Sequence, residues 1–179
     1  MKTVLITGAA SGLGWALSQQ AFSLGHRVIM TDMNALLLAA RADALASQDP
    51  SRVSFHRLDV TDSEAITALV ALLKEKEGGL DVLINNAGIT HRSLADKTDI
   101  AVFRKVMAVD WQAPVEMAVA CLPLLKRSGG GIINIGSMAG WMPVLGRAGY
   151  CSAKSALSQF FEVLRGEVAQ YGVHILMVY

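Results

Sequence analysis

The sequence predicts an α/β fold built on a doubly wound parallel sheet, and three observations carry that expectation. Short runs of β-branched and aliphatic residues alternate with longer amphipathic stretches along the whole chain. A glycine-rich turn, Gly8-Ala9-Ala10-Ser11-Gly12-Leu13-Gly14, joins the first run to the first amphipathic stretch. The 179 residues are 53% apolar and 17% charged, which suits a sheet covered on both faces.

Taken in order, the first strand is expected at about 3–7, in Val4-Leu5-Ile6, with a helix at about 12–24 after the glycines. The second strand, about 27–31, closes on Asp32 and precedes a helix at about 34–47, for which Asp32 or Asn34 can serve as N-cap. The third, about 53–58, ends at Asp59-Val60 before a helix at about 62–77 that Asp59 can cap. The fourth, about 81–85, runs into Asn85-Asn86-Ala87-Gly88, and one long helix is expected at about 99–127. The fifth, about 131–136, leads to Ser137; a helix at about 150–171 and a sixth strand at about 173–178 complete the pattern. Strict alternation with right-handed crossovers gives one parallel sheet, with its ligand crevice at the strands' carboxyl ends. No repeat, low-complexity segment or linker interrupts the chain, so residues 1–179 are expected to form one domain.

Composition narrows the function. A net charge of +1 without a basic run leaves no electrostatic footprint for nucleic acid or an acidic membrane. Lys74-Glu75-Lys76-Glu77 alternates in sign and reads as a solvated helix end. No apolar run reaches the ~18 residues of a membrane span, and the chain enters its first strand without a signal peptide, so a cytoplasmic location is expected. Cys121 and Cys151 lack CxxC spacing and are expected as buried reduced thiols. The four histidines lack ligand spacing, and no metal site is expected.

Two features carry chemistry. Gly8, Gly12 and Gly14 let the backbone turn tightly and approach a pyrophosphate, and the following helix offers unpaired N–H groups and the positive end of its dipole. Tyr150 and Lys154 are four residues apart and project from one helical face. A free tyrosine has a pKa near ~10, so about one phenol in a thousand is ionised at neutral pH. An adjacent ammonium stabilises the phenolate, and two or three units of lowering would give a usable acid/base.

With Thr7 to Gly14, Asp59-Val60, Asn85 to Gly88, Ser137 and Tyr150-x-x-x-Lys154 in this order, the chain resembles the short-chain dehydrogenase/reductase family over essentially its whole length. The glycine spacing is similar to that of the short, single-domain branch with its Rossmann-like fold. The resemblance implies a hydride transfer between a nicotinamide dinucleotide and a secondary alcohol or ketone. Ser137 would orient the substrate oxygen, Tyr150 would move the hydroxyl proton, and Lys154 would lower the tyrosine pKa and hold the nicotinamide ribose. Oxidation would then accelerate as pH rises and the tyrosine ionises. Ser137 can also be read as an ordinary strand-end turn residue.

The cofactor contacts implied are Gly8, Ser11, Gly12, Leu13 and Gly14, Asp32, Asp59 and Val60 at the adenine, Asn86, Ala87 and Gly88, and Tyr150 with Lys154. A carboxylate at Asp32 can accept both ribose hydroxyls and repels a 2′-phosphate, which favours NAD over NADP. Arg27 and Arg41 keep NADP open. The motif from Asn85 to Gly88 is expected to tie neighbouring strands together as its main role.

One catalytic position departs from the family. Relatives carry an asparagine whose main-chain carbonyl holds a water leading to the lysine, and this chain has Asp110. Pro114 lacks the N–H that would bond the Asp110 carbonyl, leaving that acceptor free. The expectation is a relay through the main chain, with Asp110's charge favouring Lys154, so that Asp110→Asn leaves turnover nearly unchanged. The alternative is a kinked helix with an unrelated carboxylate.

Met138, Trp141, Met142, Val144 and Leu145 suggest an apolar substrate wall, although packing or an oligomer contact would use the same residues. His91 and Arg92, after the fourth strand, could meet a polar group of the substrate, with solvent exposure the first expectation. The resemblance implies a homo-oligomer, dimer or tetramer, through the two long helices. It also implies that relatives continue past the position of Tyr179 into a substrate lid and a last strand, so the fold reads as C-terminally incomplete. The second hypothesis is therefore a dinucleotide-binding or association module without turnover.

Overall fold

The computed structural model describes residues 1–76 and 79–179; Glu77 of the expected charged run lies outside them. Six strands form one parallel sheet: β1 (Thr3–Thr7), β2 (Arg27–Asp32), β3 (Val53–Arg57), β4 (Val82–Asn85), β5 (Gly131–Ile135) and β6 (His174–Val178). Their order is β3-β2-β1-β4-β5-β6, so the winding reverses between β1 and β4 and opens a crevice at their carboxyl ends.

The register sorts the side chains into two cores. Leu5 stands beside Ile29 and Leu83, Leu83 beside Ile132, and Ile132 beside Ile175, forming one row across the sheet. That row is covered by α3 (Ser63–Lys76), α5 (Ala113–Ser128) and α6 (Ala148–Val168) through Leu73, Met117, Cys121, Leu125 and Phe161. The alternate residues Ile6, Met30 and Ile84 meet α1 (Gly12–Ser23) and α2 (Ala35–Ala46) through Phe22, Leu38 and Leu45. Period-two alternation sends neighbouring strand residues to opposite faces, which is why a chain this apolar needs helices on both sides. On the α1 and α2 side of β6, Leu176 and Val178 are exposed.

Helix starts follow local capping chemistry. Asn34 Oδ1 accepts the Leu37 N–H at 3.1 Å, so Asn34 rather than Asp32 caps α2. Asp62 Oδ1 accepts the N–H groups of Glu64 and Ala65, so Asp59 does not cap α3. Asp99 caps α4 (Ile100–Met107) through the Ala101 N–H.

The single helix expected at 99–127 is instead α4, a π-turn over Ala108–Gln112, and α5. Pro114 provides the reason, because it cannot donate to Asp110 in an α-helical ladder. The backbone widens ahead of it, and the Ala113 N–H reaches back five residues to the Ala108 carbonyl. The extra residue in this turn rotates Asp110 into the interior, where it is buried.

Candidate active site

The glycine-rich turn is shaped for close approach. Gly8 (φ +66°) and Gly12 (φ +52°) hold left-handed backbone that other residues adopt at a cost. Gly14 is required by space: a Cβ there would lie 2.1 Å from the Gly8 carbonyl oxygen and 2.5 Å from Asn86 Nδ2. Asn86 Nδ2 donates to the carbonyls of Thr7 and Gly8, at 2.9 and 3.2 Å. Thr7 Oγ1 accepts the N–H groups of Asn86 and Ala87, both at 3.0 Å, and donates to the Ile84 carbonyl. The two chain segments at the switch point are thus locked to each other. Thr7 opens the motif read from the sequence, but this locking role was not assigned to it.

These segments border a cleft of about 570 Å³. Of the expected cofactor residues, Gly8, Ser11, Leu13, Asp32, Asp59, Val60, Asn86, Ala87 and Gly88 all line it. Gly12 and Gly14 frame it from the start of α1. Met33, Thr61, Ile89 and Lys105 also line it and were not singled out from sequence. Lys105 comes from α4, whose position over the cleft depends on tertiary packing that no local pattern reveals.

Asp32 bridges two backbone segments. Oδ2 accepts the Ala10 N–H at 3.1 Å and Oδ1 the Asn34 N–H at 2.9 Å. Asp59 accepts from the Thr61 N–H and hydroxyl, and these bonds hold its carboxyl below the usual range. Of the two arginines that keep NADP open, Arg27 begins β2, at the strands' amino ends and away from the cleft at their carboxyl ends. Arg41 lies beside the glycine-rich turn, with its guanidinium over Trp15 at 4.9 Å and Nε 3.4 Å from the Ala10 carbonyl.

A second group of residues gathers at the carboxyl end of β5. Lys154 is buried on α6; its Nζ donates to the Ile135 carbonyl at 2.9 Å and lies 5.7 Å from the centre of the Tyr150 ring. Ser137 Oγ accepts the Ala139 N–H at 3.1 Å, capping a 3₁₀ turn, and its own proton remains available to donate. That turn reaches α6 because residue 140 is glycine: a Cβ there would meet the Lys154 carbonyl at 3.0 Å.

Asp110 joins the two groups. Oδ1 accepts the Ile89 N–H at 2.7 Å, next to the cleft, and Oδ2 faces Lys154 Nζ at 3.8 Å, longer than a hydrogen bond. Burial pushes the Asp110 carboxyl up and the Lys154 ammonium down, and in each case the partner's charge opposes the shift. The expected favourable charge of Asp110 on Lys154 thus has its counterpart in a carboxylate facing the ammonium.

Two further expectations are corrected. Both His91 ring nitrogens are buried without hydrogen-bond partners, and the ring stands edge-on to Phe103 at 5.4 Å, so only Arg92 of that pair faces solvent. Cys121 is buried, but Cys151 is only partly so. Among the described residues no cluster of metal-ligating side chains is present and no helix is long and apolar enough to cross a membrane.

The sequence model described as short chain dehydrogenase matches residues 2–179. The chain is 35% identical over 181 residues to estradiol 17-beta-dehydrogenase 2 of Rattus norvegicus, covering 99% of this chain and 47% of that protein. It is 36% identical over 183 residues to a 2,5-dichloro-2,5-cyclohexadiene-1,4-diol dehydrogenase of Sphingobium indicum, covering 97% of this chain and 70% of that one. A solved metagenomic short-chain oxidoreductase in complex with NADP superposes with a TM-score of 0.93 at 29% identity, over 98% of this chain and 80% of the other. The chain thus spans about half the length of the estradiol dehydrogenase it matches.

Proposed function

Because the chain belongs to the short-chain dehydrogenase family, we propose that it is a nicotinamide-dependent oxidoreductase acting on a secondary alcohol or ketone. The observation that carries this reading is Lys154, a buried ammonium held by the Ile135 carbonyl and facing the Tyr150 ring, beside a cleft built for a dinucleotide. Residues 1–179 would act as one dinucleotide-binding and catalytic unit.

The residues present fit the cofactor. The close approach enforced by Gly14 and the positive φ of Gly8 and Gly12 leave room for a pyrophosphate at the amino end of α1. Asp32 retains free lone pairs at the cleft edge for ribose hydroxyls, and its charge disfavours a 2′-phosphate, so NAD is the proposed partner and NADP the lesser one. When bound, the nicotinamide supplies or accepts the hydride.

The chain's own side chains handle the proton. Ser137 would donate its hydroxyl proton to the substrate oxygen and orient it. Tyr150 would take the alcohol proton during oxidation and return it during reduction, with Lys154 stabilising the phenolate. The exposed apolar side chains of Met138, Trp141, Met142, Val144 and Leu145 support an apolar substrate. The two dehydrogenases similar to this chain are named for a steroid diol and a chlorinated cyclic diol, which supports the same class.

The test is an NADH titration by fluorescence, followed by a panel of secondary alcohols with NAD, in wild type and Tyr150→Phe. Both proteins should bind NADH and only the wild type should reduce NAD. Saturable binding with no Tyr150-dependent turnover across the panel would favour a binding module instead.

A further inference from the structure

We propose that Asp110 is a positioning residue that neutralises Lys154, and so keeps Tyr150 protonated to a higher pH than a neutral side chain at position 110 would. This rests on the reading of Tyr150 as the acid/base, and it adds what the local sequence departure does to that group.

The side chains of Asp110 and Lys154 are 0% and 6% exposed, so water screens neither. Asp110 Oδ1 is occupied by the Ile89 N–H, while Oδ2 has no hydrogen-bond partner and faces Lys154 Nζ at 3.8 Å. Whether both groups are charged or both are neutral, the pair carries no net charge. Tyr150, whose ring centre is 5.7 Å from Nζ, therefore faces a neutral pair where an amide at position 110 would leave it facing a lone cation. Opposite charge favours phenolate, so losing part of that attraction holds the proton on the phenol.

Other groups surround these three. The loop after β4 contributes the Ile89 N–H to Asp110, and β5 contributes the Ile135 carbonyl to Lys154. His91, from the same loop, stands against Phe103 and near Gly149 at the start of α6, and Arg147 and Cys151 lie within three residues of Tyr150 on that helix; all three are the same in the wild type and in a variant at position 110. Among the described contacts, no other charged side chain meets Asp110 or Lys154.

The experiment reads the phenol directly and needs no substrate. Tyrosinate absorbance is followed against pH in the wild type and in Asp110→Asn, each with its Tyr150→Phe counterpart subtracted to remove Tyr171 and Tyr179. Asn preserves an acceptor for the Ile89 N–H, and Asp110→Ser is measured in parallel as a second neutral side chain. The Tyr150 midpoint should fall by roughly one pH unit in the neutral variants. A midpoint that is unmoved or raised in a variant with wild-type near-ultraviolet dichroism overturns the proposal, as does loss of fold in both variants, which would make Asp110 structural only. The pH profile of kcat/KM for alcohol oxidation is then compared with the titration. A shifted phenol with an unshifted profile would refute Tyr150 as the base while leaving the charge coupling intact.

Discussion

Replacing Gly14 by alanine tests the cradle of the cleft. The new methyl would lie 2.1 Å from the Gly8 carbonyl oxygen and 2.8 Å from its carbon, where ordinary contacts begin near 3.4 Å. It would also lie 2.5 Å from Asn86 Nδ2, the group that holds the Thr7 and Gly8 carbonyls. The Gly8 carbonyl is backbone, and the Asn86 amide can move aside only by giving up its two hydrogen bonds, so α1 and the glycine-rich turn must separate by about 1 Å. Overpacking of this kind costs about 1–3 kcal/mol. Losing the two Asn86 bonds adds about 1 kcal/mol each. A destabilisation of about 3–5 kcal/mol is expected, read as a lower urea midpoint with unchanged slope, together with loss of NADH binding. Gly166→Ala is the control. A Cβ at this α6 position meets nothing within 4 Å, so the exchange should stabilise the chain by about 0.5–1 kcal/mol. Wild-type stability and NADH affinity in Gly14→Ala would refute the claim that this contact shapes the site.

Asp32→Ala should lower the preference for NADH over NADPH by roughly ten-fold, because the carboxylate that excludes a phosphate is gone and Arg41 is close by. Competitive binding measures the ratio, and an unchanged ratio would remove Asp32 as the discriminator. Burial pushes the Cys121 thiol up to about 12, so it should resist a thiol reagent in the native protein while Cys151 reacts. Counting thiols before and after denaturation should give one and then two; two at once in the native state would contradict the packing of α5.

Strand and helix positions were legible because their signals are local. β-branched runs end at glycine or aspartate, and the helices begin at Asn34, Asp62 and Asp99, whose short oxygens satisfy the first free N–H groups. The π-turn was not legible in that way. Pro114 announces a missing bond, but whether the backbone kinks or widens depends on how α4 and α5 pack against α6. Asp110 was expected near Lys154 only through the family resemblance, since the pair spans 44 residues of sequence and no local pattern brings the two together. The locking role of Thr7 escaped because a threonine at a strand end has many uses, and only the adjacency of β1 and β4 selects this one. Arg27 and Arg41 are equivalent as sequence features, and the direction of β2 separates them.

If Tyr150 moves a proton in a hydride transfer at the cleft, isotope transfer will follow the hydride and its dependence on the phenol. The chain is given the reduced dinucleotide, deuterated at both C4 positions of the dihydronicotinamide, and an apolar ketone, and the product alcohol is analysed by mass spectrometry. Deuterium should appear on the carbinol carbon with the wild type and be lost with Tyr150→Phe, while both proteins still bind the dinucleotide. Label transfer that survives undiminished in Tyr150→Phe would contradict the assignment, and so would a wild type that binds the dinucleotide and transfers no label to any ketone tested.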